Sequence, residues 1–257
     1  MIPANDITKW GLNHPWSTRE QIEQDLLLSQ AICEIANDRL LGDELVIRGG
    51  TAFHKLFLPK PLRYSEDLDY VRSSAGGIGG ILDQLVMLGN KLGYKANTQI
   101  GKHPKIYWKC TAESGLSIRI KIEINTYERT SAKPLTMVRH SIDTDYCSSF
   151  ANVKVFHVEE LVATKIRALY QRSKGRDLFD LWLALEVLAL DPAEIIRAFH
   201  PYRPESMSSA SAIKNLERKL GSRQFLEDLS GLVVSGEIEY DPQTAGAIII
   251  EKLLSLL

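Results

Sequence analysis

Ile118, Ile120, Ile122 and Ile124 alternate strictly with Arg119, Lys121, Glu123 and Asn125. A period of two puts the isoleucines on one face and the polar residues on the other, so 117–125 predicts a strand with one buried side. Residues 105–111 predict its hairpin partner, with Ser114-Gly115 in the turn. Upstream, the apolar run 45–47 predicts a buried strand that stops at Gly49-Gly50. Residues 51–58 predict a short helix closed by Pro59 and Pro61, and 68–71 predict a second strand. Before these, 17–41 reads as a helix. Ser17-Thr18-Arg19-Glu20 forms its capping box with Ser17 as N-cap, and Gly42 is its stop. A glycine-rich connection at 76–80 leads into a helix at 81–92. Beyond residue 155 the period changes to that of helices, over 158–172, 176–190, 192–200, 208–220 and 242–257. The pattern predicts an α+β protein: a mixed half over 1–150, then a helical half over 151–257, with no internal repeat.

Composition alters this picture little. Of 257 residues, 44% are hydrophobic and 25% charged, an ordinary globular balance. No apolar run approaches the ~20 residues that cross a bilayer, so no membrane contact is expected. Asn5, Asp6, Lys9 and His14 speak against a signal peptide at the start. Cys33, Cys110 and Cys147 are odd in number and widely spaced. That argues against a zinc site or a disulfide framework and fits a reducing cytoplasm. With 31 basic and 32 acidic residues the net charge is -1, so any nucleic acid must be held by local basic patches.

Candidate chemistry lies in the acids. Asp67 and Asp69 stand two apart in a strand-like segment and project from one face. Hard carboxylates so spaced suit divalent ions, and ions roughly 3.5–4 Å apart clamp the attacking and leaving oxygens of a displacement. Glu123, the only acid on the polar face of 117–125, is the candidate third ligand. A D-x-D pair alone also describes a solvated strand end, and an acid on an amphipathic strand ordinarily faces solvent. The order strand, Gly49-Gly50-Thr51, short helix, acid pair shifts the balance. Paired glycines let the backbone approach a triphosphate closely. The N–H groups of the turn and the helix then point at phosphate, with Thr51 as an added hydroxyl donor. The plain alternative is a strand-to-helix turn with Thr51 as N-cap. Lys165, Arg167, Arg172, Lys174 and Arg176 form a basic cluster in which Lys165 and Arg172 share a helix face; this is equally a solvated face paired with Asp177 and Asp180.

Arg48-Gly49-Gly50-Thr51-Ala52-Phe53, followed by Leu62-Arg63-Tyr64-Ser65-Glu66-Asp67-Leu68-Asp69, resembles the signature of the AbiEii/AbiGii toxin family. That family belongs to the DNA-polymerase-β-like nucleotidyltransferases and includes the MenT toxins. A second block is similar too: Thr164-Lys165-Ile166-Arg167-Ala168-Leu169-Tyr170-Gln171-Arg172, continuing to Arg176-Asp177-Leu178-Phe179-Asp180-Leu181. The resemblance runs from about residue 44 to 190. It implies a nucleotidyltransferase-type mixed sheet with helices, followed by a helical domain that completes the cleft. It also implies transfer of NMP from an NTP to RNA, the 3′ end of a tRNA, by two Mg²⁺ ions or Mn²⁺ in their place. Asp67, Asp69 and Glu123 would hold the metals, although many polymerase-β-like enzymes carry Asp at the third position. Lys165 would be catalytic and touch the triphosphate, and Asp177 and Asp180 would orient Lys165, Arg167 or Arg172. Arg63 is a second phosphate contact. Ser65, turned to the face of Asp67, is either a hydrogen-bond donor or a place where phosphorylation would add about -1.5 to -2 charge beside the acids. A gene-neighbour antitoxin, typically with a winged-helix DNA-binding part, is implied as well, and a cytoplasmic monomer is expected.

Two other readings use the same residues. In one the acceptor is a small hydroxylated molecule or a protein side chain. In the other the protein is a non-catalytic, NTP-binding growth regulator. Tyr107, Trp108 and Tyr127 offer base stacking or ordinary sheet packing, and the histidines show no ligand spacing.

Overall fold

The computed structural model describes residues 2–234 and 236–257. The chain divides into two compact units, one formed by Met1–Ser131 with Leu135–Phe156 and the other by Ala132–Pro134 with His157–Leu257. The first begins with helices α1 (Ala4–Asn13), α2 (Arg19–Asn37) and α3 (Arg39–Glu44). Strand β1 (Leu45–Arg48), helix α4 (Gly49–Leu56), strand β2 (Asp67–Arg72) and helix α5 (Gly79–Lys91) follow. Strands β3 (Lys95–Gln99), β4 (Lys105–Thr111), β5 (Ser117–Asn125), β6 (Thr136–Asp143) and β7 (Ser148–Val155) complete it. The strands form one mixed sheet in the order β3-β4-β5-β2-β1-β7-β6. The pair β1/β2 is antiparallel, whereas β2/β5 and β1/β7 are parallel. Ile120, Ile122 and Ile124 of β5 are fully buried, as the alternation requires, and β4 pairs with β5 from Lys105↔Glu123 to Thr111↔Ser117.

Details at the start differ from the sequence pattern. The N-cap of α2 is Thr18, one residue past Ser17. Thr18 Oγ1 accepts the Gln21 N–H at 3.2 Å while the Gln21 side chain accepts the Thr18 N–H at 3.2 Å. The box therefore closes on Gln21 rather than Glu20, because a cap satisfies the donors three residues on. The helix also ends at Asn37. Asp38 takes the Leu40 and Leu41 N–H groups at 3.0 and 2.9 Å and starts α3 as a new helix. Helix α1 and strands β3, β6 and β7 are additions to the pattern, and β7 carries the first unit to residue 156.

The second unit holds α6 (Val158–Gln171), α7 (Gly175–Glu186), α8 (Pro192–Phe199), α9 (Ser209–Leu220), α10 (Arg223–Leu226) and α11 (Pro242–Lys252). Buried Glu160 of α6 accepts the Ala132 and Lys133 N–H groups at 2.7 and 3.0 Å and the Tyr202 hydroxyl. A carboxylate so buried is tolerable because its lone pairs are filled. Among the described residues no helix is long and apolar enough to cross a membrane.

Candidate active site

The centre of the sheet in the first unit carries the acids. The chain leaves β1 and enters α4 through Gly49, whose φ is +85°. A β-carbon there would lie 2.5 Å from Asp69 Oδ2 and 3.1 Å from Asp69 Cβ. Glycine is needed twice over: for the left-handed backbone, and because the turn lies directly against the Asp69 carboxylate. Gly50 is the second residue of α4. Arg48, the N-cap, offers no side-chain hydrogen bond to the first turn, so the positive end of the helix dipole remains without a side-chain acceptor. Thr51 Oγ1 donates to the Asp67 carbonyl at 2.5 Å and lies 2.8 Å from Ser65 Oγ. Its hydroxyl thus ties α4 to the start of β2 rather than pointing freely at a ligand, and it is not the N-cap.

Register assembles the rest. β2 and β5 run parallel with Asp69 opposite Glu123 and Asp67 opposite Lys121. The adjoining pairs Arg48↔Asp69 and Lys105↔Glu123 extend the first row. Four neighbouring strands therefore present Lys105, Glu123, Asp69 and Arg48 in line, two acids flanked by two cations. Lys121 Nζ lies 2.7 Å from Asp67 Oδ2 and 3.6 Å from Glu123 Oε2, and Lys105 Nζ lies 3.5 Å from Glu123 Oε2. Arg48 is anchored by Glu128 at 2.8 Å. Burial raises the Asp69 carboxyl above the usual range, and the charges of Asp67 and Glu123 add to this against the opposing pull of Arg48. Burial would lower Lys121, but its hydrogen bond to Asp67 and the neighbouring acids hold its ammonium above the ordinary value. Asp69 is short of positive charge while Asp67 and Glu123 are partly served by lysine.

A cavity of about 40 Å³ adjoins these acids, lined by Asp69, Glu123, Arg48, His103 and Asn125 among others. That is room for an ion or a water molecule. The donors are hard carboxylate oxygens, the chemistry that Mg²⁺ and Mn²⁺ prefer. No three acidic, histidine or cysteine side chains among the described residues close around one point, because Lys121 bridges Asp67 and Glu123. The donor set and the cavity fit a divalent ion, provided that Lys121 yields.

Lys165 belongs to the second unit and is described there. It is 8% exposed, with Nζ 2.8 Å from Asp180 Oδ2 and 3.6 Å from Asp177 Oδ1. Asp177 also receives Arg172 through two N–H groups at 2.7 and 2.8 Å. Both acids are fully buried, so R-D-x-x-D forms an inward-facing clamp on Lys165 and Arg172, whereas Arg167 lies over the Tyr202 ring at 5.3 Å. In the first unit Arg63 is 3% exposed and donates to the Tyr64 carbonyl at 3.0 Å. The residues missed in the sequence are Arg48, Lys105, Lys121 and His103. The three cations were visible as charges, but only strand register sets them beside the acids, and His103 had no pattern to mark it.

Residues 30–255 match a family model described as the nucleotidyl transferase AbiEii toxin of a type IV toxin–antitoxin system. A search of curated proteins finds no match. Among solved structures the chain is similar to MenT4, a nucleotidyltransferase toxin from Mycobacterium tuberculosis H37Rv. The TM-score is 0.61 at 17% identity, covering 100% of this chain and 99% of that one, which is a likeness of fold. An antigenic nucleotidyltransferase-like protein from Paracoccidioides brasiliensis matches at TM-score 0.42 and 18% identity, over 88% of this chain and 99% of that one.

Proposed function

The chain belongs to the AbiEii family of nucleotidyltransferase toxins of type IV toxin–antitoxin systems, and on that premise we propose that it transfers NMP from an NTP to RNA, at the 3′ end of a tRNA. The observation that carries the reading is the contact of the Gly49 turn with Asp69. It sets a helix N-terminus without a side-chain cap directly beside the acids, so one small region can receive both the anionic phosphates and their counter-ions. Asp67, Asp69 and Glu123 would hold the metals. Divalent ions bound there would supply a clamp on the phosphate oxygens and acidify the attacking hydroxyl.

The backbone N–H groups at Gly49 and Gly50 bind the triphosphate, and Glu123, opposite Asp69 in the sheet, stands to receive the proton of the acceptor hydroxyl. Lys165 neutralises the departing pyrophosphate, held ready by Asp177 and Asp180. Family membership implies an antitoxin partner and an NTP substrate.

Incubation with each labelled NTP and total RNA, followed by sequencing of the extended 3′ ends, tests the proposal. Wild-type protein is expected to label tRNA, and Asp69→Ala to lose at least about a hundredfold in rate, as for removal of a group that stabilises transition-state charge. Undiminished labelling by Asp69→Ala would sink the mechanism. Label recovered only in protein would refute RNA as the acceptor.

A further inference from the structure

The first unit contains a second, larger cavity, of about 270 Å³. One wall is the face of α4 that carries Thr51, His54, Lys55 and Leu58, and Ser65 stands at its edge. Trp10 and His14 of α1 line it too, their rings stacked 4.0 Å apart and 3° from parallel. Its charged lining is three cations, Lys55, Lys60 and Arg63, against the single carboxylate of Asp25. That carboxylate is already used: it accepts the Lys55 ammonium at 2.7 Å and the Trp10 indole N–H at 2.9 Å.

Two polar atoms on the lining find no partner among the described residues, Trp16 Nε1 and His140 Nε2. Trp16 is 7% exposed, and a buried N–H without an acceptor costs about 1–3 kcal/mol. Burial and the charge of Lys55 hold the His140 ring down to about 4, so at neutral pH it is an uncharged imidazole that can give or take one hydrogen bond.

An occupant must therefore bring an acceptor for Trp16, a second polar edge for His140, a flat apolar body for the aromatic wall and negative charge for the cations. A nucleotide has all four. At about 270 Å³ the cavity sits just under the ~300–1,000 Å³ of drug-sized ligand sites, room for a base and sugar but not for a whole triphosphate. Its edge at Ser65 lies two residues before Asp67, so phosphates emerging there point toward the acids. We propose that this cavity is a subsite for the base of a nucleotide, with Trp16 as the donor that reads it. The reading of the protein as a nucleotidyltransferase supplies the direction of the phosphates, and the cavity's own chemistry supplies the base. The base belongs either to the incoming NTP or to the 3′-terminal nucleotide of the acceptor.

The two sources separate in one experiment on the full chain labelled with ¹⁵N at tryptophan indoles. The Trp16 resonance is assigned by its loss in Trp16→Phe. Wild-type protein is titrated with the α,β-methylene analogue of each NTP and, separately, with a short single-stranded RNA. A saturable shift of the Trp16 N–H is expected with one class of ligand, and Trp16→Phe is expected to bind that class roughly three- to tenfold more weakly, the worth of one neutral hydrogen bond. A shift with the analogue assigns the base to the NTP, and a shift with RNA assigns it to the acceptor. An unmoved Trp16 resonance with both ligands overturns the subsite, even in a protein that labels tRNA efficiently. A Trp16 shift in a protein that labels no acceptor leaves the subsite standing and removes the transferase reading instead.

Discussion

Replacing Gly49 by alanine tests the close approach on which the candidate active site depends. The substitution acts in two ways. The backbone there has φ +85°, and a β-carbon in a left-handed conformation costs about 1–2 kcal/mol. The new carbon would also lie 2.5 Å from Asp69 Oδ2, which forces that side chain off its rotamer at about 0.5–1.5 kcal/mol. Together these predict a loss of roughly 1.5–3.5 kcal/mol. In a unit of about 150 residues each kcal/mol is worth ~2–4 °C, so Tm should fall by ~3–14 °C. The same change in an Asp69→Ala background meets no carboxylate oxygen and should cost only the backbone share. Thermal melts of wild type, both single variants and the double variant by circular dichroism close the cycle, with an expected coupling of about 0.5–1.5 kcal/mol. Additive losses would refute the steric contact, and an unchanged Tm in Gly49→Ala would refute the backbone reading as well.

Two further outcomes follow from other parts of the molecule. Lys165→Ala leaves the buried Asp180 carboxylate without the ammonium now 2.8 Å away, so chemical denaturation should show a loss of about 3–5 kcal/mol, largely recovered by Lys165→Ala with Asp180→Ala. A loss below about 1 kcal/mol would mean the pair is solvent-screened. His140 is held down to about 4 by burial and by Lys55, below the ~6.5 of an unfolded histidine. Its contribution to stability is therefore whole above pH ~6.5 and is lost as pH falls toward 4, to at most about 3 kcal/mol. Denaturation midpoints across that window should flatten in His140→Gln, and an identical slope in the variant would contradict the assignment.

The sequence by itself determined what repeats locally. Alternating isoleucines made β5 readable to its end residues, because period two buries one face whatever the strand's neighbours are. Two glycines before a helix and an i, i+2 acid pair made Gly49, Asp67 and Asp69 candidates, and the i, i+3 acids Asp177 and Asp180 marked the clamp on Lys165 and Arg172. Strand β3, Lys-Ala-Asn-Thr-Gln, is exposed along most of its length and is held by backbone pairing to β4, so it left no hydrophobic trace. The choice of Thr18 over Ser17 turned on which side chain reached the free N–H groups.

Tertiary structure alone decided the pairings. Glu123 opposite Asp69, and the cations Arg48, Lys105 and Lys121 around them, come from parallel and antiparallel register between segments up to some 75 positions apart. The second cavity joins α1, α2, α4 and β6 in the same way. Nothing local encodes such neighbours, because strand order is settled by burial of the whole sheet rather than by the residues that later share a site.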